Sequence, residues 1–115
     1  MKMKEFKFDY DAENDDLFIY LDGAKSEGGV EMGNFVVDFD ENENFVGLEI
    51  LDASEVFSKL LSKFIELTKI KELKAEASNF RNMASIKLSI TTDSQSETAN
   101  ILIPRIIEES PALSY

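Results

Sequence analysis

The chain has 115 residues, enough for one domain with its own core, and 43% are hydrophobic against 30% charged. It holds no cysteine and no histidine, which excludes disulfides, thiolate chemistry, the commonest general base and the commonest transition-metal ligand. The net charge is −11 and lopsided, with 16 acidic and 4 basic side chains over residues 1–56 (−12) and 7 against 8 over residues 57–115 (+1), so nucleic acid and anionic membrane surfaces are disfavoured partners.

Glu5–Tyr10 sets Phe6, Phe8 and Tyr10 against Glu5, Lys7 and Asp9, the period of two of a half-buried strand. Asp11–Asp15 is turn chemistry. Asp16–Leu21 predicts a second strand with Leu17, Ile19 and Leu21 on one face, Phe18 and Tyr20 on the other. Asp22–Gly33, with four glycines, reads as a loop. Asn34–Asp40 is a third strand, Glu41–Asn44 a turn, and Phe45–Leu51 a fourth strand with Val46, Leu48 and Ile50 inward. Four strands joined mostly by short turns predict an antiparallel meander.

The rhythm then changes. Asp52-Ala53-Ser54-Glu55 reads as a capping box, in which Asp52 accepts from the first helical turn and Glu55 reaches back. Val56, Phe57, Leu60, Leu61, Phe64 and Ile65 follow at helical spacing and paint one apolar face. Thr68–Ser78 mixes strand alternation with helix-favouring composition; the alternation of Leu73, Ala75 and Ala77 favours a strand, with a turn at 79–82. Ala84–Thr92 and Glu97–Ile103 predict two more strands around an Asp93–Ser96 turn, ended by Pro104.

The expected architecture is therefore α+β in a single domain. A four-stranded antiparallel meander (1–51) precedes one amphipathic helix (52–66), about three further antiparallel strands (69–104) and a tail (105–115). The helix should cover the Phe6, Leu17, Val37 and Leu48 face, so that Phe8, Ile19, Val37 and Leu60 share one interior. Phe18, Tyr20, Val36 and Phe45 are assigned to the second face, to be covered by the last three strands or by a second copy. They are the partner-binding candidates. No run approaches the ~18 apolar residues of a membrane span. The start lacks the apolar stretch of a signal peptide, so a cytoplasmic location is expected.

Tyr10-Asp11-Ala12-Glu13-Asn14-Asp15-Asp16-Leu17-Phe18-Ile19, then Val36-Val37-Asp38-Phe39-Asp40, then Val46-Gly47-Leu48-Glu49-Ile50 with Ala53-Ser54, together resemble the prokaryotic domain of unknown function 2283 family. Its pattern is tyrosine-aspartate, an acidic turn and leucine-aromatic-isoleucine, then valine-aspartate-aromatic-aspartate, then valine-glycine-isoleucine-glutamate-isoleucine followed by alanine-serine. The resemblance covers residues 6–54. Asn14-Asp15-Asp16 stands where the family has alanine, aspartate and a variable residue. The resemblance implies a compact strand-rich domain and no assigned activity. Small members of the family accompany predicted toxin genes, so an antitoxin-like role is also among its implications.

Two carboxylate sets invite chemistry. In a meander the first and third turns share an end, which would gather Asp11, Glu13 and Asp15 with Asp40, Glu41 and Glu43. An oxygen-only set of this kind suits calcium or magnesium, with Asp11, Glu13, Asp15, Asp40 and Glu43 as the metal candidates. Asp38 and Glu49 project from one face of adjacent strands and form a candidate acid/base pair. Neither set comes with a nucleophile or an oxyanion device, so no catalytic residue is assigned and no cofactor is predicted beyond such an ion. Ser54 reads as a helix-start residue. Gly47 reads as room for Phe18 or Tyr20, and the Gly23–Gly33 loop lacks the lysine and hydroxyl of a phosphate cradle. The function expected is a non-catalytic module that binds a basic protein partner or itself as a homodimer. The alternative is a divalent-cation-dependent ligand binder or enzyme.

Overall fold

A computed structural model describes residues 4–42, 44–61, 63–80 and 83–104. Eight strands and one helix follow one another as β1 Lys4–Asp11, β2 Asp16–Tyr20, β3 Gly28–Met32, β4 Phe35–Phe39, β5 Phe45–Ile50, α1 Ala53–Leu61, β6 Ile70–Phe80, β7 Met83–Thr92 and β8 Ser96–Pro104. All pairings are antiparallel, and the strands lie side by side in the order β3-β4-β5-β2-β1-β6-β7-β8. Among the described residues the fold is mixed, with one α-helix, a short 3-10 turn at Leu67–Lys69 and a curled antiparallel sheet. Among the described residues no helix is long and apolar enough to cross a membrane.

β1 is the corner. Lys7–Asp11 pair with β2, whereas Lys4–Phe6 pair with β6. A strand that changes partner midway lets a sheet turn on itself, so that its two halves share one inner face. Phe6, Leu17, Ile19, Val37, Leu48 and Ile50 from the first five strands accordingly lie in one buried cluster with Leu73, Ala75, Ile86, Leu88, Ile90, Ala99 and Ile101 from the last three. Ala53 and Phe57 of α1, with Ile65 and Leu67 beyond it, complete the cluster. Phe8 packs against its edge.

The first half is not a simple meander. Gly28–Met32, expected within a loop, is an edge strand joined to β4 by Gly33-Asn34. Gly33 has φ +57°, the conformation that a glycine-first two-residue hairpin turn requires. β5 then returns to pair with β2, which makes five strands where four were expected. The last three strands do not cover the second face either. They extend the sheet through the β1–β6 pairing, because their own apolar residues already face the shared core.

Three further expectations are corrected. Strand β5 carries a bulge: Phe39 is opposite Phe45, but Asp38 is opposite Gly47. The extra residue turns Phe45 inward, where its ring lies 5.4 Å from that of Phe6, so Phe45 does not belong with Phe18, Tyr20 and Val36. The helix spans nine residues rather than 52–66, and Leu60 is 41% and Phe64 70% exposed. One buried position per turn, Ala53 then Phe57, fills the available gap. Finally, Asp52 does not cap the helix with its side chain: its backbone has φ +54° and its carboxylate receives Asn34 Nδ2 at 3.3 Å. The expected strand over 68–78 is present as β6. Part of the expected turn at 79–82, and the tail at 105–115, lie outside the described residues.

Candidate functional site

The outer face of β3, β4, β5, β2 and β1 carries two cross-strand rows that follow from the register. One row reads Glu31, Val36, Glu49, Phe18, Asp9; the next reads Gly29, Asp38, Gly47, Tyr20, Lys7. Phe18 and Tyr20 stand two residues apart on β2 and are 43% and 44% exposed. Both rings are therefore partly open to solvent on this face.

Carboxylates flank Phe18 on both neighbouring strands, whereas Tyr20 stands between Gly47 and Lys7. Glu49 is half-buried between Val36 and Phe18. Burial, reinforced by the negative charges of Asp16, Asp38 and Glu31, pushes its carboxyl above the ordinary glutamate range. Asp38 lies diagonally across from it, over two glycines. A Cβ added to Gly29 would come within 2.9 Å of Asp38 Oδ1, and one added to Gly47 within 3.2 Å of Oδ2. Gly47 thus makes room for the Asp38 carboxylate rather than for an aromatic ring. No hydroxyl, amide or cation completes an acid/base device around this pair in the hydrogen bonds and ion pairs described. An open cleft of about 300 Å³ lies at the corner instead, lined in part by Phe6, Leu21, Phe45 and Ala75.

A second constellation surrounds Asp15. Its backbone has φ +58°, which aspartate tolerates better than most residues. Tyr10 Oη donates to Asp15 Oδ1 at 2.6 Å, and Ser54 Oγ donates to Oδ2 at 2.7 Å. The Ser54 amide donates to the same carboxylate at 3.1 and 3.2 Å, and the Ala53 amide donates to the Asp15 carbonyl at 2.8 Å. The β1–β2 turn therefore supplies the N-cap of α1 across 39 residues of sequence, in place of Asp52 and Glu55. Glu55 pairs with Lys59 at 3.5 Å. Burial alone would push the Asp15 carboxyl up, but hydrogen bonds from Tyr10 and then Ser54 outweigh it and hold it below the ordinary range. The Tyr10 phenol is pushed up to about 12, first by burial and then by Asp15.

The metal candidates are not brought together. Leu17 and Phe35 both align with Ile50, whereas Phe39 aligns with Phe45. The Asp11–Asp15 turn and the Asp40–Asn44 turn thus lie at opposite ends of the sheet, because β3 adds a strand between them. Asp11 accepts from the Glu13 and Asn14 amides at 3.0 and 3.2 Å and from Asn14 Nδ2 at 2.8 Å. Asp40 accepts from the Asn42 and Asn44 amides at 2.8 and 2.9 Å and from Asn44 Nδ2 at 3.2 Å. These bonds, led by Asn14 and Asn44 respectively, hold both carboxyls below their ordinary values. Asp15 serves the helix cap, Glu13 is exposed, and Glu43 lies outside the described residues. Among the described residues no group of three or more carboxylates is placed to hold a metal ion.

Residue spacing alone gave no role to Tyr10 beyond a core-facing ring, and none to Asp9, Asp16 or Glu31. The Tyr10 contact needs a turn closed onto a distant helix, and the flanking carboxylates need the register of five strands. The resembling motif was the only signal available, since it links tyrosine-aspartate to a distant alanine-serine.

Comparison with known proteins covers the same segment of the chain. The model of the family described as Protein of unknown function (DUF2283) matches residues 7–54, the segment that contains Tyr10, Asp15 and Ser54 as well as Phe18, Asp38 and Glu49. Over these residues, less than half of the 115-residue chain, the sequence matches this family. An uncharacterized protein of Methanocaldococcus jannaschii is 50% identical over 52 residues, which is 45% of each chain. The match thus spans less than half the length of that relative. A protein of Methanosarcina mazei named as a putative hypoxanthine phosphoribosyltransferase is 31% identical over 84 residues, covering 73% of this chain and 68% of the relative. No solved structure matches.

Proposed function

We propose that the protein is a non-catalytic binding module whose outer sheet face receives a basic segment of another protein. The observation that carries this reading is the pair of half-exposed rings, Phe18 and Tyr20, set among Asp9, Glu31, Asp38 and Glu49. An arginine stem and guanidinium can lie on such rings while carboxylates at the margin satisfy its charge. A second copy suits this face poorly, since self-pairing would set acidic rows against each other. Asp11 and Asp40 are occupied by their own turns, which weighs against the cation-dependent alternative. A phosphoribosyl substrate is polyanionic and would be repelled here, so the name of the Methanosarcina relative lends nothing to this face.

The test is an NMR titration with a short peptide alternating arginine and valine. Shifts centred on the amides of Phe18, Tyr20, Gly47 and Glu49, weakening as salt rises, are the expected result. Phe18→Ser/Tyr20→Ser should abolish them. Shifts spread evenly over the Asp11 and Asp40 turns, or unchanged by the double substitution, would reduce the interaction to bulk charge and refute the reading.

A further inference from the structure

Two strands, β3 and β8, end the sheet with one side unpaired among the described residues. They are not equivalent. β3 has five residues, two of them glycine, with Glu31 near its middle, and it belongs to the half carrying −12. β8 has nine residues and one charge, Glu97, which already binds Lys63 at 3.1 Å. Thr98-Ala99-Asn100-Ile101-Leu102-Ile103 carries none. Soluble proteins usually blunt an edge by shortness, charge or a kink, because its bare N–H and C=O groups template another strand.

The phase of those groups follows from the β7–β8 turn. The Thr92 amide donates to the Gln95 carbonyl at 2.9 Å, so this is a hydrogen-bonded pair. Alternation along the register makes Ile90–Glu97, Leu88–Ala99 and Ile86–Ile101 the next such pairs. The N–H and C=O groups of Thr98, Asn100 and Leu102 therefore point away from β7. Pro104, next in phase, has no N–H to leave bare.

We propose that β8 pairs antiparallel with β8 of a second copy, about a two-fold axis at Asn100, and joins the two sheets into one. The register sets Asn100 against Asn100 of the partner subunit, and Thr98 against Leu102 of the partner subunit. Every outward group from Thr98 to Leu102 is then satisfied, and Leu102, 62% exposed in the single chain, gains cover. Like charges do not meet across the axis. The half that carries β8 has a net charge of +1, while the acidic strands β1 to β5 are the far members of the strand order. Self-complementary strands of this kind close as two-fold dimers. The inference uses a different edge from the proposed binding face and does not depend on it.

Sedimentation velocity on the full chain over a concentration series tests it, with amide hydrogen exchange at Thr98, Asn100 and Leu102. The expected species has twice the 13.0 kDa of one chain and slow exchange at these three amides. Asn100→Lys and Asn100→Asp, each exposed in the single chain, should both run as monomers through like-charge repulsion at the axis. Mixing them in equal amounts should restore the dimer, because the charges then complement each other. A wild-type chain that stays monomeric overturns the proposal; slow exchange in that monomer would show that another segment of the same chain occupies the edge. Dimers that persist in both single variants would place the interface elsewhere and overturn it equally.

Discussion

Replacing Asp15 separates the tertiary cap from ordinary turn chemistry. In Asp15→Ala, α1 loses the acceptor of the Ser54 amide and hydroxyl, a change that costs about 1 kcal/mol at a helix N-cap. Alanine must also hold the φ of +58°, which costs about 1 kcal/mol more for a residue without a local hydrogen-bonding side chain. The sum, about 2 kcal/mol, should lower Tm by roughly 8 °C at about 4 °C per kcal/mol. Asp15→Gly removes the acceptor without the backbone penalty, and Asp15→Asn keeps an acceptor and tolerates the φ, so each should cost only about 1 kcal/mol. The pH dependence has a definite sign. The folded carboxyl titrates below its unfolded value, so its stabilisation is present above about pH 4 and is lost as pH falls through the lower folded value. Urea melts at pH 7 and at progressively lower pH would read both effects. The cap assignment fails if Asp15→Gly costs nothing, or if the deficit of Asp15→Asn persists unchanged in acid; the backbone penalty is refuted if alanine is no worse than glycine.

Tyr10 should show the opposite limb. Its folded pKa is raised to about 12, so its stabilisation is present below about pH 10 and is lost as pH rises from there through the folded value; Tyr10→Phe should lack that alkaline loss in the same melts. Glu49→Gln should stabilise the protein at neutral pH by up to about 1 kcal/mol, the scale of a cross-strand charge pair. Because the Glu49 carboxyl is raised, that gain should vanish below its unfolded value, and a loss at pH 7 would contradict the crowding of charge described. Gly47→Ala should cost about 1 kcal/mol by pressing on Asp38; a double-mutant cycle with Asp38→Ala in thermal melts should show most of that cost removed. Phe57→Ala, at a fully buried ring, should cost about 3–5 kcal/mol, whereas exposed Leu60→Ala should stay within about 1 kcal/mol.

The alternation of Phe6 and Phe8, of Leu17 and Ile19, and of Ile86, Leu88 and Ile90 announced strands, because which face a residue takes in an extended chain depends on its immediate neighbours alone. The change of rhythm near Asp52 placed the helix for the same reason. Phe45 was misplaced because one bulged residue reverses the alternation, and β3 because its paired glycines hid a strand behind the composition of a loop. The helix face was overextended to Leu60 and Phe64, since periodicity counts apolar residues but not the space available to them. What the chain alone could not determine was every relation across many residues. Asp15 on Ser54, the carboxylates flanking Phe18, and the separation of the two acidic turns all depend on which strands become neighbours. That choice is made by the burial of one shared core around β1, an energy that no local window of sequence contains.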